Sequence, residues 1–107
     1  MTYRVELRER ARRDLDELVA FLLADSSSRA ERWLDGMERA IVSLAEMPER
    51  RAIVVPLSRP GVSVRCLLYG HYPHVYKIYF VVVGETVQVL HIRHGARRPP
   101  RPRDLRV

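Results

Sequence analysis

A chain of 107 residues has the length of one domain and is long enough to bury one real hydrophobic core. Nineteen Lys and Arg against thirteen Asp and Glu give a net charge of +6, and Lys77 is the only lysine, so the cationic chemistry is that of guanidinium, suited to bidentate contacts with phosphate or carboxylate. Cys66 is the single cysteine, which excludes an internal disulfide; the charged start MTYRVELRER reads as no signal peptide and no apolar run is long enough for a membrane span, so a cytoplasmic setting is expected.

Residues 3–8 alternate, with Tyr3, Val5 and Leu7 on one side and Arg4, Glu6 and Arg8 on the other, which predicts a half-buried strand. From about Glu9 the period changes. Ala11, Leu15, Leu18 and Leu22, flanked by Val19 and Leu23, form a helical stripe that runs to about Asp25, with Arg12, Arg13, Asp16 and Glu17 opposite. The Ser26–Ser28 run breaks the pattern, and Ser28-x-x-Glu31 fits a capping box. A second helix carries Ala30, Trp33, Leu34, Met37, Ile41 and Leu44 on one face and ends near Pro48, so the two form an antiparallel hairpin. Residues 49–61 read as a loop with at most a short edge strand at Ile53–Val55, because Pro56, Pro60 and Gly61 interrupt it. Three strands follow, over 62–69, 75–83 and 86–94, the last two joined at Gly84-Glu85. In the middle strand Tyr76, Ile78, Phe80 and Val82 face one way and Lys77, Tyr79, Val81 and Val83 the other. One face is expected to pack on the helices; the other, partly apolar and partly basic, is either a partner surface or a lightly covered side. Residues 1–98 make the single domain, and the tail 99–107, rich in proline and arginine, reads as an extended basic arm.

No phosphate-binding loop, dinucleotide fingerprint, nucleophile elbow or metalloprotease motif is present. The pairs His71/His74 and His91/His94 are poorly spaced for chelation on a strand, so no metal is expected, and His94 is expected to be oriented by the backbone of the Gly95 turn. Cys66 reads as a buried, inert thiol. Asp14, Asp16 and Glu17 read as a solvated helix face, with Asp14 in reach of Arg10. The remaining signal is cationic: Arg65, Lys77 and Arg93 come from three adjacent strands and share one patch if the register permits, with Arg97 just beyond. Such a patch suits phosphate or acidic side chains and is poorly equipped for proton transfer, since arginine does not deprotonate.

The ordered set of elements, with Ala11, Asp14 and Leu15 in the first helix, Pro48 closing the second, Arg65-Cys66-Leu67, Tyr76-Lys77-Ile78-Tyr79-Phe80 and HIRHGAR from His91 to Arg97, resembles the RelE/ParE toxin superfamily from Tyr3 to about Arg98. The resemblance implies an α+β fold with the helix hairpin packed on one face of the sheet. It also implies a toxin of a type II toxin–antitoxin module, neutralised by a cognate antitoxin and needing no cofactor. RelE-like members cut mRNA in the ribosomal A site with basic residues and a C-terminal tyrosine. Arg65, Lys77 and Arg97 fall at or near such basic positions, but no tyrosine follows Arg97. ParE-like members poison DNA gyrase and are not known as enzymes, and the GAR ending fits that branch better. The expectation is therefore a ParE-like gyrase inhibitor, with Arg65, Lys77, Arg93, Arg97 and Arg98 meeting the target. Leu18, Phe21, Leu22, Trp33, Met37 and Tyr79 are expected to meet an acidic antitoxin that folds on binding. Operator DNA would be reached only through that antitoxin, in a hetero-oligomer. The alternatives are a ribosome-dependent mRNA endoribonuclease, or a non-toxic homologue acting as co-repressor.

Overall fold

The period change after Leu7 sets the first two elements: a strand β1 (Arg4–Leu7) passes directly into helix α1 (Glu9–Leu23), and helix α2 (Ser28–Val42) returns beside it. The computed structural model describes residues 2–24 and 28–105, so the turn at Asp25–Ser27 lies outside the described residues. Ser28 already belongs to α2, and its hydroxyl accepts from Arg32 at 3.5 Å instead of heading the helix as the capping box predicts. Three short 3₁₀ turns then lead to strands β2 (Arg65–Tyr69), β3 (Tyr76–Val83) and β4 (Thr86–His94). The strand order is β1-β4-β3-β2; β2, β3 and β4 form an antiparallel meander, and β1 lies parallel to β4. Gly84, at φ +59°, supplies the positive φ of the tight turn between β3 and β4.

Both helices lie on one face of the sheet. Ala11, Leu18, Met37, Ile41 and Leu44 meet Leu67, Ile78, Phe80, Val87, Val89 and Ile92, and each fully buried aliphatic side chain there contributes about 2 kcal/mol. Ala11 lets α1 approach β4 closely. Gly36 does the same for α2, since Tyr69 of β2 lies where a Cβ would stand, and the Tyr69 hydroxyl donates to the Trp33 carbonyl at 2.7 Å.

A bulge decides which way the end of β4 faces. Phe80 pairs with Val89 but Tyr79 pairs with His91, so Leu90 is the extra residue. Leu90 and His91 consequently both lie on the second face, and the alternation restarts one residue late. Ile92 points under the helices, while His91 and Arg93 point away. Strict alternation would have buried His91 and Arg93 in the helix-side core.

The second face has a smaller core of its own. Leu57 and Val64 from the loop ahead of β2, and Leu105 from the C-terminus, cover Tyr79, Val81 and Leu90. The tail is therefore not the extended arm that its prolines and arginines suggest. Pro100 is buried, Pro102–Leu105 form one helical turn α3, and Leu105 is 3 % exposed. Asp104 closes that turn by accepting from the Arg101 N–H at 2.7 Å. The apolar side of the tail's one leucine outweighs the open conformation that its charges favour.

Candidate functional site

Helix α1 reaches the chemistry first. β1 ends at Leu7, and among the described residues no strand lies beside the outer edge of β4 past Val89. The Arg8 N–H still donates to the Val89 carbonyl, and beyond that the carboxylate of Asp14 takes the place of a strand: its Oδ2 accepts from the Ile92 N–H at 3.0 Å and from His91 Nδ1 at 2.5 Å. Arg10 Nε donates to Oδ1 at 3.1 Å. Burial pushes the Asp14 carboxyl up, but the bonds from His91, Ile92 and Arg10 outweigh it and leave the group below its ordinary value.

His91, 1 % exposed, continues the chain. Its Nε2 lies 3.1 Å from Nη1 of Arg93. A guanidinium can only donate, so Nε2 accepts and the imidazole is the neutral Nδ1–H tautomer, which donates to Asp14. The Tyr79 ring stacks on His91 at 6.3 Å. Arg93 is thus fixed from below, 4 % exposed, with its Nε buried and, among the described residues, without a hydrogen-bond partner. Burial and the nearby Arg97 and Arg98 push its pKa down, and Asp104 opposes them.

The predicted cationic patch is divided by the sheet. Lys77 pairs with Arg93, so both face the second side, and Arg97 and Arg98 lie exposed just past them. Arg65 pairs with Phe80 and so lies on the helix side, where its Nη1 donates to the carbonyls of Glu49 and Arg51, each at 2.8 Å. It pins the 3₁₀ turn at Pro48–Arg50 to β2 and does not join Lys77 and Arg93. Sequence reasoning missed the anchor that does join the site, Asp14 with His91. The available signal was position: Asp14 stands on the apolar stripe with Ala11, Leu15 and Leu18, where a solvated carboxylate does not belong.

Of the four histidines only His74 and His94 meet, edge-on at 5.9 Å. His71 and His74 are exposed, and His91 and His94 face opposite sides of the sheet. His94 Nδ1 accepts from the Ala96 N–H at 3.0 Å, the backbone orientation expected of it, and its ring meets Tyr76 edge-on at 5.0 Å. Cys66 is half-buried, less covered than the buried thiol expected, and burial pushes its thiol pKa up despite the nearby Lys77.

The six residues predicted to meet a partner divide in the same way. Leu18 and Met37 are core residues beneath the helices, and Tyr79 is 3 % exposed beneath the second-face cover. Phe21, Leu22 and Trp33 do reach the surface, lining with Ala30 a groove of ≈ 270 Å³ at the tip of the helix pair, bounded by Arg29, His74 and Tyr76. Phe21 is 75 % exposed, a large apolar side chain left in water. Among the described residues no helix is long and apolar enough to cross a membrane.

Comparison with known proteins agrees with this architecture. The family described as "ParE toxin of type II toxin-antitoxin system, parDE" matches residues 5–99. Toxin RelE1 of Caulobacter vibrioides is 33% identical over 95 residues, which cover 89% of this chain and 96% of that protein. A solved structure of the chromosomal ParDE toxin–antitoxin system from P. aeruginosa superposes with a TM-score of 0.64 at 21% identity, covering 87% of this chain and 96% of that one, and so shares the fold.

Proposed function

Because the chain belongs to the ParE toxin family of type II toxin–antitoxin systems, we propose that its target is DNA gyrase, and that it arrests growth by blocking the gyrase cycle and trapping cleaved DNA. The observation that carries this reading is the make-up of the basic end. Lys77 and Arg93 face the second side, Arg97 and Arg98 follow close to Arg93 with Asp104 nearby, Arg97 also borders Asp14 and Glu17 of α1, and no tyrosine follows Arg97. Such a set binds anionic or acidic surfaces well and moves protons badly. Arg97 and Arg98 are the contact residues, with Lys77 beside them and Arg93 fixed beneath. Arg65 serves the fold.

The antitoxin that neutralises a type II toxin has a suitable seat in the groove of Phe21, Leu22 and Trp33. An acidic, amphipathic segment, disordered until bound, would fill it with apolar anchors and meet Arg29 on the rim. Binding there makes a hetero-oligomer, and sequence-specific recognition of operator DNA falls to the antitoxin.

The relative named RelE1 favours a second reading, a ribosome-dependent mRNA endoribonuclease that would use Lys77 and Arg97. Purified toxin, ribosomes and a defined message separate the two. Cleavage of the message on ribosomes overturns the gyrase reading. Intact message, with growth arrest on induction that the antitoxin relieves, supports it.

A further inference from the structure

Five arginines, Arg93, Arg97, Arg98, Arg101 and Arg103, stand between positions 93 and 103 with no acid among them. Four of these are exposed, and Arg93 lies buried beneath with an unpartnered Nε. Arg97 and Arg98 are close enough to disfavour the charge on Arg93, and Asp104 is the neighbouring carboxylate that favours it. Like charges held together destabilise a compact state. Here the fold holds them together firmly. Pro99, Pro100 and Pro102 stiffen the segment, Leu105 pins its far end into the second-face core, and Asp14 and His91 hold Arg93 at the near end. A stiff, crowded set of cations is pre-organised for a polyanion, because little side-chain and backbone freedom remains to be lost on binding.

We infer that this arginine segment binds the phosphate backbone of duplex DNA directly, without the antitoxin. Its composition favours a duplex over a single strand. Binding to single-stranded RNA uses aromatic rings on which bases stack. Between Arg93 and Arg103 the one aromatic ring is His94, which faces the helix side against Tyr76 in the hollow that Arg97 borders, so the segment offers Arg98, Arg101 and Arg103 no ring of its own. An acidic peptide is also a poorer fit, since it needs apolar anchors beside its charges. Of the segment's own apolar residues Pro100 and Leu105 are buried, and those left exposed, Ala96, Pro99 and Pro102, are small. The α3 turn has only four residues and buries Leu105, so it presents no helix to a groove, and the contact reads phosphates and not sequence. The inference deepens the gyrase reading, whose substrate is duplex DNA, and rests on it only for the identity of that DNA.

Fluorescence anisotropy with a short mixed-sequence duplex, followed from about 50 to 200 mM salt, tests it. Four exposed arginines predict a slope of log affinity against log salt of about −3 to −4, equal for unrelated sequences. The double variant Arg97→Ala/Arg98→Ala is expected to reduce the slope by about 2. Arg12→Ala/Arg32→Ala removes the same charge from exposed positions on the helices and is expected to leave the slope unchanged. Asp104→Asn is expected to tighten binding. All variants are checked for native unfolding transitions. Equal losses in the two double variants would reduce the effect to net charge and overturn the inference. So would tighter binding to single-stranded RNA, or to an acidic polypeptide, at the same salt. Duplex binding of the expected kind with no effect on gyrase would instead retain this surface and remove the gyrase reading.

Discussion

Asp14 stands on the buried stripe of α1, where a carboxylate is costly unless each of its oxygens is bonded. It meets that condition through Arg10, His91 and the Ile92 N–H, and in doing so replaces the strand that β4 lacks at its open edge. Asp14→Asn puts an amide donor against groups that are themselves donors, and is expected to cost about 2 kcal/mol in urea unfolding at neutral pH. The pH dependence has a definite sign. The folded Asp14 carboxyl lies below its unfolded value, so its contribution is in full force above about pH 4 and is lost as pH falls through the folded value. The gap between native chain and variant should therefore close on acidification, and a gap that widens there would contradict the assignment. The residues around it were only partly legible. The Arg10–Asp14 pair follows from helical spacing, but the His91 and Arg93 links depend on the Leu90 bulge. Nothing in the alternation of β4 marks a bulge, because Leu90 is as apolar as its neighbours.

Among the elements, α2 shows why a glycine stands inside a helix. Gly36→Ala in an open helix stabilises by up to about 1 kcal/mol. Here the new methyl would meet the Tyr69 hydroxyl, which must move and release the Trp33 carbonyl, so the expected sign is reversed and stability falls. Tyr69→Phe removes the obstructing oxygen. In that background Gly36→Ala should cost much less, a coupling that a double-mutant cycle by thermal unfolding measures. Additive effects would mean that Tyr69 does not set the approach of α2 to β2. Element order and type were readable from the sequence, since a change of period from alternating to helical and back is unambiguous over these lengths. Pairing was less so. That β1 joins the sheet beside β4, and parallel to it, is a consequence of the helix hairpin carrying the chain across the sheet, which no local pattern records.

At the scale of the molecule, a single sheet is buried on both sides by unequal means, two helices on one and a loop with the C-terminal turn on the other. The tail was the least legible part. Its composition argues for an open arm, and one residue, Leu105, reverses that by finding Leu57, Val64 and Leu90. Leu105→Ala is expected to cost about 2 kcal/mol, and to loosen the arginine segment that Leu105 pins. Hydrogen exchange, with faster exchange at residues 98–104, would show the loosening; unchanged protection there would mean that the segment is held by its prolines and Asp104 alone. Arg97, just past the end of β4, shares a hollow with Phe21 and Tyr76, and these two also line the groove with Trp33, so the basic end and the groove are neighbours.

The most direct measurement is a gyrase assay with purified toxin, following supercoiling and the accumulation of cleaved DNA, for the native chain and for Arg97→Glu. Cleaved complexes that accumulate with the native chain, disappear when the antitoxin is added, and fall at least about tenfold with the charge reversal are the predicted result. Folded native toxin that leaves gyrase untouched, or a charge-reversed variant that poisons it equally well, would contradict the account.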